Sequence, residues 1–160
     1  MNFNNLNEFI EFLEKREELK RISTTVDSNL EITEIVDRVF KSSGPALLFE
    51  NVAGSDFPLL INLFGTEQRM CWGLGVENPT ELVNKIKVLL SNVENPPKTI
   101  ADKINLLKNL FSLRVILPKS IKHSECQEVI YKDNDVDLYK FPLMTCWPED
   151  GGPFITMPLV

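Results

Sequence analysis

Helical periodicity runs through most of this 160-residue chain and stops at Pro118. Beyond that point Phe141-Pro142, Trp147-Pro148 and Gly151-Gly152-Pro153 interrupt the backbone every few residues, the texture of short strands and turns. One chain with two textures calls for two structural units. The expectation is a mixed α/β (α+β) domain over residues 1–118 and the start of a β-rich one over 119–160.

Within the first unit, Leu6, Phe9, Ile10 and Leu13 recur at helical spacing, with Asn4 or Asn5 placed to cap. Leu19–Ser23 alternates apolar and polar over a strand's length. A second helix opens at Ser28-Asn29-Leu30-Glu31, which has capping-box spacing, and stops at Gly44-Pro45. The apolar runs Ala46–Phe49 and Leu59–Leu63 flank the turn signal Asn51-Val52-Ala53-Gly54. Gly65-Thr66 begins a short helix through Met70 and Trp72, and Asn78-Pro79 begins a longer one. Asn95-Pro96-Pro97 ends that helix, and a further helical pattern covers Thr99 to Leu113. In the second unit, Cys126–Tyr131 reads as a strand, Asp133-Asn134-Asp135 as a turn, and Phe154-Ile155-Thr156 as the start of another strand. The apolar run Met157-Pro158-Leu159-Val160 then stops abruptly, so the chain reads as one cut short.

Charge and composition narrow the function. Seventeen Lys and Arg against twenty-three Asp and Glu leave a net charge of −6, the opposite of the basic face that nucleic-acid binding uses. No apolar run approaches the roughly 20 residues of a membrane span, and no signal-peptide pattern opens the chain. The expected compartment is the cytoplasm. Three cysteines without a CxxC pair and a single histidine, His123, give neither a disulfide framework nor a multi-histidine metal site.

The residues with chemical potential each have a plainer reading. Gly73-Leu74-Gly75 lacks the third glycine of a dinucleotide loop and fits a helix-ending turn. His123 and Cys126 stand three apart without an orienting third group in view. Glu149-Asp150, between Pro148 and Gly151, can bind a metal or move a proton, yet a solvated turn has the same composition. Asp133-Asn134-Asp135-Val136-Asp137 lacks the Gly and Glu that a calcium loop requires. Trp72 and Trp147 can stack on a ring ligand, but burial is the commoner use of such side chains. Composition and spacing alone therefore yield no complete active site.

A series of segments nevertheless resembles one family, the UbiD-type decarboxylases. Glu14–Ile22 is similar to an EKRGELKRI segment, Leu30–Ile35 to LEITEI, Gly44–Val52 to GPALLFENV, and Asn62–Thr66 to NLFGT. Met144–Thr156 resembles the family's TCWPEDGGPFIT stretch, and the matches fall in family order over almost the whole chain. In one place the chain departs: Glu17 stands where the family pattern has Gly, which removes the residue that eases a helix ending.

The resemblance implies a non-oxidative carboxy-lyase using prenylated FMN, with a divalent metal (Mn or Mg) and potassium in the longer family enzymes. Their substrates are aromatic or α,β-unsaturated acids, such as 4-hydroxy-3-polyprenylbenzoate in ubiquinone biosynthesis or a menaquinone-pathway analogue. It further implies that residues 119–160 open a split β-barrel flavin-binding domain, and that the full-length protein forms homo-oligomers. A prenylated substrate also implies a peripheral membrane contact. No catalytic or metal-binding residue of the family falls on this chain. One cofactor contact does: Thr156, whose hydroxyl can donate to a flavin oxygen, the alternative being a β-branched strand residue. The chain alone is expected to be inactive. A non-catalytic assembly module working with a separately encoded remainder is the competing expectation.

Overall fold

A computed structural model describes residues 3–94, 99, 120–122, 124 and 127–156. The chain divides into two compact units, Met1–Glu77 with Val136–Val160, and Asn78–Asp135.

The first unit is built around a three-stranded sheet of order β1-β2-β3, with β1 at Leu19–Ile22, β2 at Ala46–Phe49 and β3 at Leu59–Ile61. β1 and β2 are parallel, with Leu19 opposite Ala46 and Ile22 opposite Phe49. A parallel pair requires a crossover, and helix α2 (Glu31–Lys41) lies in that connection. β3 returns antiparallel, Phe49 facing Leu59 and Leu47 facing Ile61. All four residues of β2 are buried, because the sheet is covered on both faces. Alternation sends Leu47 and Phe49 into one cluster with Val26, Ile32, Val52 and Met144. Ala46 and Leu48 go into another with Phe9, Leu13 and Leu19.

Helix α1 (Leu6–Glu14) supplies Phe9 and Leu13 to that second cluster, while Leu6 stays 53% exposed. Its start is capped reciprocally: the Glu8 amide donates to the Asn5 side chain at 3.0 Å, and the Asn4 amide donates to the Glu8 carboxylate at 2.9 Å. The Asn4 contacts hold the Glu8 carboxyl below its ordinary range. At the other end the amide of Glu18 donates to Leu13 O (2.9 Å) and that of Glu17 to Glu14 O (3.0 Å), the paired bonds of a Schellman stop. That motif places its closing residue in the left-handed region, and Glu17 sits there with φ +60°. The family pattern's Gly is missing at the position of this helix stop where a Cβ is strained.

Helix α3 (Glu67–Leu74) is capped by Thr66, whose side chain accepts from the Arg69 amide. It ends at Gly75, in the left-handed conformation with φ +65°. Gly73-Leu74-Gly75 is therefore the end of a helix, as expected. α3 carries Arg69, a cation with 0% exposure. Its guanidinium donates to the Glu18 carboxylate at 2.7 Å and to the carbonyls of Gly44 (3.0 Å), Leu63 (3.2 Å) and Asn62 (3.3 Å). Asn62, itself at φ +57°, donates its side-chain amide to Pro45 O at 2.9 Å. A Cβ at Gly65 would lie 1.8 Å from Asn62 Oδ1 and 3.0 Å from Arg69 Nη2, so only glycine fits there.

Helix α2 differs from the sequence expectation. Its cap position is Leu30, with φ +68° and no side-chain cap, rather than Ser28. Glu31 instead accepts from the Asp27 amide at 2.7 Å. The reason is tertiary: Ser28–Leu30 are engaged by Thr145, whose amide donates to Ser28 O (3.2 Å) and whose carbonyl accepts from the Leu30 amide (3.0 Å).

In the second unit, helix α4 (Pro79–Glu94) opens as expected, the Glu81 amide donating to Asn78 Oδ1 at 3.0 Å. The expected helix over Thr99–Leu113 lies outside the described residues, apart from Thr99. Residues 127–131 form no strand, contrary to expectation. Val129, Ile130 and Tyr131 are largely exposed, and no partner strand pairs with them among the described residues. Asp133–Asp135 is a short 3₁₀ turn, in agreement with the turn reading.

Glu17→Gly relieves the left-handed strain and stabilises the fold by about 0.5–1 kcal/mol, read as a higher urea midpoint at unchanged m-value. Arg69→Met strands Glu18 and three carbonyls and costs about 2–4 kcal/mol, whereas Arg69→Lys recovers part of this because it keeps the charge but not the fork. Hydrogen bonds from Arg21 hold the Glu14 carboxyl below its ordinary range, and Arg21 is raised in turn by Glu14 and Glu50. A depressed folded-state carboxyl contributes stability above its unfolded pKa and loses it as pH falls through the folded one. Acid unfolding in low salt should therefore be less steep in Arg21→Gln than in the parent below the ordinary glutamate range, and salt should shrink the difference.

Candidate functional site

β3 is an edge strand of the sheet, and the chain returns to it after Leu138–Lys140, a single 3₁₀ turn. Ser55 ties this return down, its hydroxyl donating to Lys140 O at 2.8 Å. Phe57 stacks on Phe141 with centroids 4.8 Å apart. The chain then forms a wide hairpin closed by one residue pair: Met144 and Phe154 exchange backbone bonds of 3.0 and 2.7 Å. Met144 is buried in the cluster with Phe49 and Ile32, which anchors the hairpin to the core.

Asp150 shapes the hairpin's tip. Its carboxylate accepts from the amides of Cys146 (3.0 Å) and Trp147 (2.8 Å), and its own amide donates to Trp147 O (3.1 Å). Asp150 is thus committed to the turn, and the turn reading of Glu149-Asp150 holds, with Glu149 exposed. Trp147 departs from the buried expectation. It is 67% exposed on the tip, while Trp72 is half-buried edge-on to Phe12 at 5.3 Å. Arg16 lies over that Phe12 ring at 3.7 Å.

Between β3 and the hairpin lies a cavity of about 340 Å³ lined by Leu59, Leu60, Met144, Phe154, Ile155 and Thr156, among others. Leu59 and Leu60 point to opposite faces of the sheet, so a cavity touching both follows its open edge. Its walls are apolar, and Thr156 contributes a hydroxyl that makes no hydrogen bond among the described residues. Such a lining fits one edge of a flat, largely apolar ring carrying an acceptor oxygen. Among the described residues it offers no cationic side chain for a phosphate, so the fit these residues make to a flavin nucleotide is to its ring part.

Phe154 makes a single bridge with Met144 rather than a ladder, so Phe154-Ile155-Thr156 is only partly strand-like, and 157–160 lie outside the described residues. A second cavity of about 220 Å³, touching Ser28, Ser55, Tyr139 and Thr145, lies on the other side of Phe141-Pro142-Leu143. Of the cysteines, Cys71 is buried and Cys146 half-buried; His123 and Cys126 lie outside the described residues. No three His, Cys, Asp or Glu side chains among the described residues are arranged to hold a metal ion. No motif or periodicity in the sequence marks the structurally decisive Arg69. Its signal in residue order is slight, a cation following Glu67 and Gln68 in a short helix, four residues after Gly65.

The model of the 3-octaprenyl-4-hydroxybenzoate carboxy-lyase N-terminal domain matches residues 10–90, and that of the same enzyme's Rift-related domain matches residues 119–160. An evolved dimeric form of the UbiD-class enzyme HmfF from Pelotomaculum thermopropionicum, in complex with prFMN, is similar at 25% identity and a TM-score of 0.64, over 94% of this chain and 30% of that one. Vanillic acid decarboxylase (ShVdcCD) of Sedimentibacter hydroxybenzoicus, in closed form, shares the fold at 22% identity and a TM-score of 0.66, over 96% of this chain and 29% of that one. The chain thus spans about 30% of the length of these structures. No described helix is long and apolar enough to cross a membrane. With family models covering both of its textures in order, the chain belongs to the UbiD family of carboxy-lyases.

Proposed function

We propose that this chain is the N-terminal part of a cytoplasmic decarboxylase that removes CO₂ non-oxidatively from an aromatic or α,β-unsaturated acid. The favoured substrate is 4-hydroxy-3-polyprenylbenzoate in ubiquinone biosynthesis, or a menaquinone-pathway analogue. The observation carrying this reading is the ordered match of both carboxy-lyase domain models, at residues 10–90 and 119–160. We place the domain boundary near Pro118, with residues 119–160 contributing the first piece of a split barrel.

The cofactor is prenylated FMN, which in HmfF is seen bound. When bound, such a flavin serves as the electron sink for loss of CO₂. This chain's contribution is positional. Thr156 donates a hydrogen bond to a ring oxygen, while Leu59, Leu60, Phe154 and Ile155 form an apolar wall that keeps water from the ring edge. Asp150 and Met144 act one step back, fixing the tip and the base of the hairpin that bears Thr156. The divalent metal, potassium and the proton-transferring groups belong to the longer protein, as does its homo-oligomeric assembly.

A second reading is an assembly module that works with a separately encoded remainder. It is favoured by the exposure of Trp147 (67%), Ile155 (54%) and Phe154 (47%) along one hairpin.

The purified 160 residues should neither retain prenylated FMN nor release CO₂ from a polyprenylated hydroxybenzoate. Flavin absorbance that co-purifies, together with CO₂ release, overturns the positional role. Fused to the C-terminal region of HmfF, the chain should support flavin retention. Thr156→Val should then weaken it about tenfold, the worth of one hydrogen bond. A fusion that folds and holds flavin equally well with valine sinks the assignment of Thr156. Activity regained on mixing separate pieces, without fusion, favours the assembly module.

A further inference from the structure

The turn before α2 is strained, and the strain has a specific alternative. Leu30 has φ +68° and ψ −34°, and the Glu31 amide donates to Asn29 O at 2.9 Å. That closes a γ-turn of the rare left-handed kind, which a side chain with a Cβ occupies only when its surroundings hold it there. Thr145 supplies the holding contacts: its amide donates to Ser28 O (3.2 Å) and its carbonyl accepts from the Leu30 amide (3.0 Å). Yet Ser28-Asn29-Leu30-Glu31 carries the residues of a capping box.

In a capped helix Ser28 would be the cap, Leu30 would be helical, and Ser28 O would accept from the Ile32 amide. The observed arrangement excludes all three. Ser28 O is taken by Thr145, Leu30 lies at positive φ, and the Ile32 amide donates to Asp27 O at 3.2 Å. The Glu31 carboxylate has likewise moved its bond one residue back, to the Asp27 amide.

We infer that Ser28–Leu30 is a two-state latch: with Thr145 engaged it forms the strained γ-turn that seats the Met144–Phe154 hairpin, and with Thr145 released it joins α2 as a capped first turn. The two states require different φ at Leu30 and different acceptors for the Ile32 amide, so seating the hairpin and starting the helix at Asn29 are mutually exclusive. Release would move the wall of the cavity that includes Met144, Phe154 and Thr156. The latch's bearing on catalysis, though not its existence, rests on the proposed role of that cavity.

The test is amide hydrogen exchange by NMR on the full 160-residue chain without cofactor, so its failure is separable from failure of the flavin assignment. Leu30→Gly favours positive φ and disfavours helix, and should slow exchange at the Thr145 amide about fivefold or more. Ser28→Ala removes a cap that exists only in the released state, and should slow it by a similar factor. Thr145→Pro deletes the holding donor and should give helical ¹³Cα shifts at Asn29 and Leu30. Unchanged or faster Thr145 exchange in Leu30→Gly overturns the latch. Slower exchange in Leu30→Gly with none in Ser28→Ala overturns the helical alternative. Should Thr145→Pro fail to fold, the other two variants still decide.

Discussion

The buried guanidinium of Arg69 is the contact on which the first unit's geometry depends. It binds the residue before β1 (Glu18), the turn before β2 (Gly44), and the exit of β3 (Asn62 and Leu63). A planar fork with five donors can satisfy several acceptors from separate segments at once; an ammonium group lacks that geometry. A fully buried cation is costly unless its donors are used, so these acceptors must converge around it. Gly65 and Asn62 follow from that demand. The first leaves room, and the second turns its carbonyl inward from a left-handed backbone.

Upon that pinned frame β2 divides the interior. Its four residues alternate between two clusters, one closed by α1 and the other by α2 and Met144. Burying a side chain such as Phe49 or Leu47 is worth roughly 1.5–3 kcal/mol. The insertion of Met144 into the Phe49 cluster matters beyond its own burial. It attaches a hairpin formed by residues 144–154 to a sheet made from residues 19–61. The cavity at the β3 edge exists because of that attachment, and its apolar lining comes from both partners.

The local rules performed well where the forming bonds are local. Asn5, Thr66, Asn78 and Gly75 end helices in the structure by short-range hydrogen bonds or positive φ, and such signals are visible in a few residues of sequence. They misled at Ser28, where Thr145 captures the groups a cap would use, and at Gln127–Tyr131, where apolar residues find no strand to pair with among the described residues. Thr156 could be selected only through family resemblance. One β-branched residue carries no pattern of its own, and its position on a cavity depends on Leu59 and Leu60, nearly a hundred residues earlier.

By itself, then, the sequence determined the helix and strand order of the first unit, its change of texture and its kinship, because periodicity, caps and ordered motifs are properties of neighbouring residues. It also marked Glu17 as out of place, since the strain of a Cβ at a left-handed helix stop is a local matter. Only the tertiary structure decided that Arg69 is an anchor and that the start of α2 is given up to Thr145. Each of those outcomes turns on which distant acceptor or donor reaches a polar group first. Hydrogen-bond competition across the fold has no signature in residue order.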